Sequence, residues 1–443
     1  MSADLFAIGS SALRTFRAQM GAISENISNA NTDGYSRRTV QIAEAPVANT
    51  EPLYVPRANF GGSVVNGVVR ANDSYLDATS RLTGAALGNA NARLRWQTDI
   101  ETALSDDRLG VGASLSNMYG SIDRLAASPT DQSQRTNMIY SLQQAVSSFQ
   151  KSSDALNTTL QGTFSAAQGD VSIVNNSMTE LARINDNLLR AQKGTSSYAQ
   201  LLDNRDAELS KITQRLNVDV SFAANDTAVL AYNGTTLVQG DTAGSVGVTQ
   251  NANGTLAFSA NGTATTAPAN GSLGGLFSSA TVARQRLDSL DTLAVQFANN
   301  MNTWHGQGLT DANVAGGALL TVGTTAASLT VAITNISQIA AKSSDGRLNG
   351  NLLNIGSVRG NGSVEQGWTA LVAAHGNMLA TTKSEQTAAQ VRDDSAKGAR
   401  DKVSGVDLDM EAADLLRVQQ AYQAAAKVIQ SARDVVDTIL NLR

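Results

Sequence analysis

The chain of 443 residues contains no cysteine, which excludes disulfide staples, thiolate nucleophiles, zinc knuckles and iron-sulfur ligation. Proline occurs only five times, and Pro46, Pro52 and Pro56 fall in one short stretch. The remainder can form long helices, because proline is the residue that breaks them. Charged residues make up 16% and aromatics 5%, the former well under the ~25% of an ordinary globular chain. A net charge of −5 without clustered Lys and Arg argues against nucleic acid as a partner, since binding phosphate depends on such clusters to release counterions. No apolar run approaches the ~18 residues of a membrane helix, so no membrane insertion is expected. Met1 to Phe6 carries Asp4 where a signal peptide would carry positive charge, so no cleaved signal is expected either.

Catalytic signatures are scarce as well. His305 and His375 are the only histidines and have no cysteine to join them as metal ligands. Ser148 and Lys151 have the Ser-x-x-Lys spacing, but no Ser-Asp-Asn or Lys-Thr-Gly accompanies them. There is no Gly-x-Ser-x-Gly elbow, phosphate-cradling glycine loop or His-Glu-x-x-His. No catalytic residue, metal or cofactor is expected.

What the chain has is helical periodicity. Phe6, Gly9, Leu13, Phe16, Met20, Ile23, Ile27 and Ala30 follow alternating steps of three and four, the spacing of a coiled-coil seam. Leu415, Val418, Tyr422, Ala425, Ile429, Ala432, Val436 and Ile439 repeat it near the other end, with Ala421, Val428, Val435 and Leu442 as a second apolar row. One such stripe does not offset the entropy of ordering about 30 residues. Each helix therefore needs the other, or a neighbouring subunit, which points to assembly.

Between them, Ala45 to Gly62 reads as an extended linker. Helices are expected over about 73–104, 111–127, 131–193 and 198–216; the third, of about 60 residues, would span ~90 Å at 1.5 Å per residue, with a stutter at Leu156, Leu160 and Phe164. The period then changes to two at Val218, Val220 and Phe222, and Asn-Gly pairs at Asn233, Asn253, Asn261 and Asn270 signal hairpins. Helix resumes over 278–304 and, after a Gly- and Thr-rich stretch, from 368 onward with a break near 402–405.

The expected fold class is mainly α with a small β insertion. Paired terminal coiled-coil helices (1–45 with 403–443) would join a long helical rod domain (46–216 with 276–402), with an inserted, surface-facing β domain at 217–275. Asp407, Asp409 and Glu411 do not suit a calcium loop, since Ala412 stands where glycine is needed; they read as first-turn acids facing the helix dipole. Asn29 to Tyr35 reads as a helix stop.

Several of these stretches carry a resemblance. Asn26-Ile27-Ser28-Asn29-Ala30-Asn31-Thr32-Asp33-Gly34-Tyr35-Ser36-Arg37, after Ser10-Ser11-Ala12-Leu13, resembles the amino-terminal signature of the bacterial flagellar rod, hook and hook-associated proteins. Leu201 to Asp206, Asn302 to Gly308, Ser404 to Ala412, Gln419 to Ala424 and Val428 to Gln430 are similar to further stretches of the hook-associated branch at the hook-filament junction. Met410 stands where the family commonly has an acid, and the chain lacks room for a second large surface domain.

The resemblance implies a structural subunit, exported unfolded by the flagellar type III route without a cleaved signal and placed outside the cell. Its implied partners are identical subunits, the hook protein, hook-associated protein 3 and a flagellar export chaperone that binds the carboxy-terminal region. The implied assembly seam is Leu13, Phe16, Met20, Ile23 and Ile27 with Leu415, Val418, Tyr422, Ile429, Val436 and Ile439. The motif residues are Asn29, Asn31, Thr32, Gly34, Tyr35, Asp409 and Glu411. A hook or rod subunit is the alternative within the family, and an exported binding module or enzyme using the β insertion is the alternative outside it.

Overall fold

In a computed structural model the described residues are 2–45 and 61–440, with side chains described from Leu5 to Thr438. Most of the expected linker, with Pro46, Pro52 and Pro56, lies outside them. The chain opens with α1 (Ser2–Asn29) and a hairpin of β1 (Arg38–Glu44) and β2 (Ser63–Arg70). Helices α2 (Ser74–Ala103), α3 (Val111–Ala127), α4 (Gln132–Arg190) and α5 (Ser196–Thr213) follow. Short strands come next: β3 (Asp219–Phe222), β4 (Ala228–Tyr232), β5 (Thr235–Gln239), β6 (Thr242–Ala243), β7 (Val246–Gln250), β8 (Leu256–Ala260) and β9 (Thr263–Thr265). After α6 (Gly271–Gly306) come β10 (Leu320–Thr321), β11 (Thr330–Val331), the single turn α7 (Gly350–Leu353), α8 (Val364–Ser404) and α9 (Leu408–Leu440).

The helices follow the apolar periods. With no proline to interrupt it, α4 runs for 59 residues, about 89 Å at 1.5 Å per residue, and buries Leu142, Phe149, Leu156, Leu160, Val174, Met178 and Leu181. Ahead of α5, the Thr195 hydroxyl caps the helix by accepting from the Tyr198 N–H. The β1–β2 hairpin was not anticipated. It pairs Arg38 with Arg70 and Ile42 with Val65 across a bulge, and its local signal is only the β-branched content of Thr39-Val40-Gln41-Ile42 and Val64 to Val69.

Three of the Asn-Gly pairs fall in hairpin turns as expected, Asn253-Gly254 between the antiparallel β7 and β8. Asn233 and Gly234, at φ 47° and 80°, join β4 to β5, and Asn261 and Gly262, at 50° and 76°, join β8 to β9. Asn270 does something else. Its side chain accepts from the Gly271 N–H and starts α6, so the helix begins seven residues before the expected Ser278.

The residues group into two compact units, one of 1–85, 173–245 and 390–443, the other of 86–172 and 246–389. The division at Ser245 and Val246 falls inside the expected 217–275 segment. In the first unit β3 to β6 form an antiparallel meander that buries Leu230, Tyr232, Leu237 and Val238. The Asn185 amide of α4 binds it by donating to Ala228 O and Gly240 O and accepting from Ala228 N. In the second unit β7 to β9 form a separate sheet; Phe258 meets Phe277 edge-on at 6.0 Å and Phe149 stacks on Phe297 at 5.6 Å.

Candidate assembly site

In the first unit α1 lies along α9 and against the β1–β2 hairpin. The helix pair is close at Gly9, where a Cβ would stand 2.5 Å from Ile429 Cγ1. The implied seam residues line this contact unevenly. Ile23 and Val418 are buried, while Leu13, Phe16, Met20, Ile27, Leu415, Tyr422, Ile429 and Val436 are half-buried. The Ile439 side chain lies outside the described residues. Ala425 and Ala432 are buried at heptad spacing from Val418.

Where α1 ends, the motif loop turns back on the helix. Asn29 donates to Glu25 O and Thr32 to the Asn29 side chain, while the Tyr35 N–H donates to Thr32 O at 3.1 Å. Gly34 has φ +80°, a left-handed conformation that L side chains rarely adopt. Asn31, Thr32 and Gly34 are exposed.

Below the loop the polar groups are buried and directional. Asn26 sits on the flank of the apolar stripe and is 1% exposed. Its carbonyl oxygen accepts from the Tyr35 hydroxyl at 2.8 Å and from the Arg38 N–H at 2.9 Å. Its amide donates to Arg38 O at 2.9 Å and to Glu411 Oε2 at 3.0 Å. Arg37 Nε donates to Glu411 Oε1 at 2.6 Å, and the Arg37 N–H donates to Ser404 O at 2.8 Å. One carboxylate of α9 is thus bound twice by the motif at the end of α1. Burial pushes the Tyr35 phenol up to about 12 against the lowering pull of Arg38.

The acids of α9 divide their work. Asp407 accepts from the N–H groups of Asp409 and Met410 and caps the helix, Asp409 is exposed in the first turn, and Glu411 turns inward. Glu411 lies in the first turn as expected, but it is 1% exposed and its carboxylate also serves Asn26 and Arg37.

A second cluster ties in α5. Arg38 Nη2 donates to Asp203 Oδ2 at 3.1 Å and Arg70 Nη1 to Asp203 Oδ1 at 3.0 Å. Arg70 also reaches Asp206 at 2.6 Å, and Glu25 takes a hydrogen bond from Ser196 and pairs with Arg38. Burial raises the Asp203 carboxyl, opposed by the two arginines. Asn26, Arg37, Arg38, Arg70, Asp203 and Asp206 were missed as site residues although most lie in the motif stretches. The available signal was the presence of asparagine and arginine beside an apolar stripe. Among the described residues no three histidine, aspartate or glutamate side chains converge as metal ligands would, and no helix is long and apolar enough to cross a membrane.

The sequence profile described as the flagellar hook-associated protein FlgK helical domain matches residues 97–320, half of the chain. The chain belongs to the FlgK family of flagellar hook-associated proteins. It is a structural component of the flagellum, at the junction of hook and filament. Profiles of flagella basal body rod protein and of the basal body rod FlgEFG protein C-terminal region match residues 6–35 and 400–442, the two stretches joined through Asn26 and Glu411.

Flagellar hook-associated protein 1 of Salmonella typhimurium is 26% identical, with 98% of each chain covered. Its counterpart in Bacillus subtilis is 25% identical over 97% of each. The Salmonella alignment runs over 562 positions against 443 residues here, so stretches of that relative face gaps in this chain. The solved flagellar hook junction protein FlgK of Burkholderia pseudomallei matches with a TM-score of 0.66 at 13% identity, covering 75% of this chain and 100% of that one; this shows a shared fold.

Proposed function

We propose that the α1–α9 pair is the part of the subunit that assembles with identical copies in the axial structure, and that the Asn26–Glu411 link sets its geometry. The implied seam and the Asn29 to Tyr35 motif act in this assembly. The subunit meets the hook protein at one end of the junction and hook-associated protein 3 at the other. Before assembly it passes through the flagellar export route without a cleaved signal, its carboxy-terminal region held by a chaperone, and it works outside the cell as a structural part with no catalytic role.

The observation that supports this reading is the two-faced surface of α9. One side buries Glu411, Val418, Ala425 and Ala432, whereas the rest exposes Met410, Leu416, Val428 and Val435. Apolar side chains left exposed along a terminal helix are suited to a further helix. A strain lacking the gene should carry hooks without filaments, and the full chain supplied in trans should restore filaments. Purified subunits should add to the ends of isolated hooks under the electron microscope but not grow into long polymers alone. Filaments in the deletion strain, or free polymers without hooks, would overturn the junction reading in favour of a hook or filament subunit.

A further inference from the structure

The end of α6 carries three side chains that hold an irregular segment by its backbone. Asn302 accepts from the N–H groups of Leu319 and Leu320 at 2.8 and 2.9 Å and donates to Leu320 O. Trp304 Nε1 donates to Asn351 O at 2.9 Å, and the Asn351 amide donates to Ala340 O at 2.8 Å. His305, with no exposed surface, sits between them. Its Nδ1 lies 2.7 Å from Gly317 O, and its Nε2 accepts from the Ala340 N–H at 2.9 Å.

This geometry admits one protonation state. A carbonyl oxygen only accepts, so Nδ1 must carry the proton; the Ala340 N–H only donates, so Nε2 must offer its lone pair. A second proton would set an N–H against an N–H in a site closed to water, where an unmet donor is costly. Space to swing away is lacking, since a Cβ at Gly316 would stand 2.7 Å from His305 Nδ1. The charged groups of the segments around it are engaged elsewhere: Asp311 pairs with Arg135 of α4, Lys342 donates to Asp311 O, and Arg347 pairs with Asp345. Burial lowers the affinity of the ring for a proton, opposed by the bond to Gly317, and no charged group contributes.

We propose that His305 is a proton-sensitive latch: its neutral Nδ1–H form holds the segment of residues 308–341 closed by bridging Gly317 and Ala340, and its protonation releases that segment. The closed form excludes the second proton while the open form accepts it near the ordinary histidine value of ~6.5. The latch is therefore secure above that value and weakens as pH falls through it. The opening constant should rise about 25-fold between pH 7 and pH 5.

The full chain with labelled histidine should show, at pH 7, a nitrogen NMR pattern for His305 of the Nδ1–H tautomer; the chain has only two histidines, so the signals are separable. Hydrogen exchange of the peptide containing Ala340, corrected for intrinsic rate, should accelerate by the stated factor between pH 7 and pH 5. His305→Gln, whose amide offers one donor and one acceptor, should flatten that dependence, and His305→Ala should leave the segment fast-exchanging at both pH values. His375, whose Nε2 donates to Gln97 O at 2.8 Å, is the control, and His375→Gln should leave the Ala340 dependence in place. An Nε2–H tautomer in the native chain, a flat profile, or a slope that survives His305→Gln would each overturn the latch. The tautomer and the native profile decide the matter even if a variant fails to fold.

Discussion

Asn26 and Glu411 are 385 residues apart in sequence and 3.0 Å apart at their amide and carboxylate. The contact links the two stretches that match rod-protein profiles, and it does so inside the protein, where an abandoned partner cannot turn to water. Glu411→Ala should leave both the Asn26 amide and Arg37 without their acceptor, lowering the stability of the first unit by about 1–3 kcal/mol. Glu411→Gln, which keeps an acceptor for Asn26, should cost less. The check is hydrogen exchange at the Arg38 amide, which is bonded to Asn26 and should open in the alanine variant first.

Two glycines of α1 should respond in opposite ways. A Cβ at Gly21 meets nothing within 4 Å, while one at Gly9 stands 2.5 Å from Ile429 Cγ1. Gly21→Ala should stabilise α1 by roughly 0.5–1 kcal/mol through chain entropy. Gly9→Val should push the helices apart and yield hooks without filaments despite normal export. Thermal melting of the two purified proteins, together with a motility assay, separates the cases.

Val418 is 3% exposed and Val428 40%, so an aspartate at each tests different interfaces. Val418→Asp buries a charge in the α1–α9 contact and should unfold the pair, read as loss of helical circular dichroism and rapid proteolysis of both ends. Val428→Asp should leave the monomer intact yet stop addition to hook ends. Normal junctions from Val428→Asp would mean that the exposed row is not an intersubunit surface.

Alkaline titration should expose the buried phenols. Burial raises both Tyr35 and Tyr119 to about 12. With the folded-state value above the ordinary ~10, this contribution to stability is present below pH ~10 and declines as pH rises towards 12. Ultraviolet titration of the folded chain should show late-ionising tyrosines among the eight, and Tyr35→Phe should remove one of them while weakening the Asn26 bond network.

The helical architecture was legible in the chain because helix hydrogen bonds close within four residues and the apolar period records which face is buried. That is why α1, α4 and α9 follow the spacing of Leu, Ile, Val and Ala, and why Asn233-Gly234 and Asn261-Gly262 turn where their tolerance of positive φ allows. The contact of α1 with α9 was legible as two apolar stripes. Tertiary structure decided what lies across long separations. The pairing of β1 with β2, the engagement of the buried Glu411 carboxylate by Asn26 and Arg37, and the meeting of Arg38 and Arg70 at Asp203 all depend on which backbone and side-chain groups folding brings within about 3 Å. A polar side chain has the same identity in solvent as in the interior; only the loss of water around it, and the geometry of the partner that replaces that water, makes it a link between distant parts of the chain.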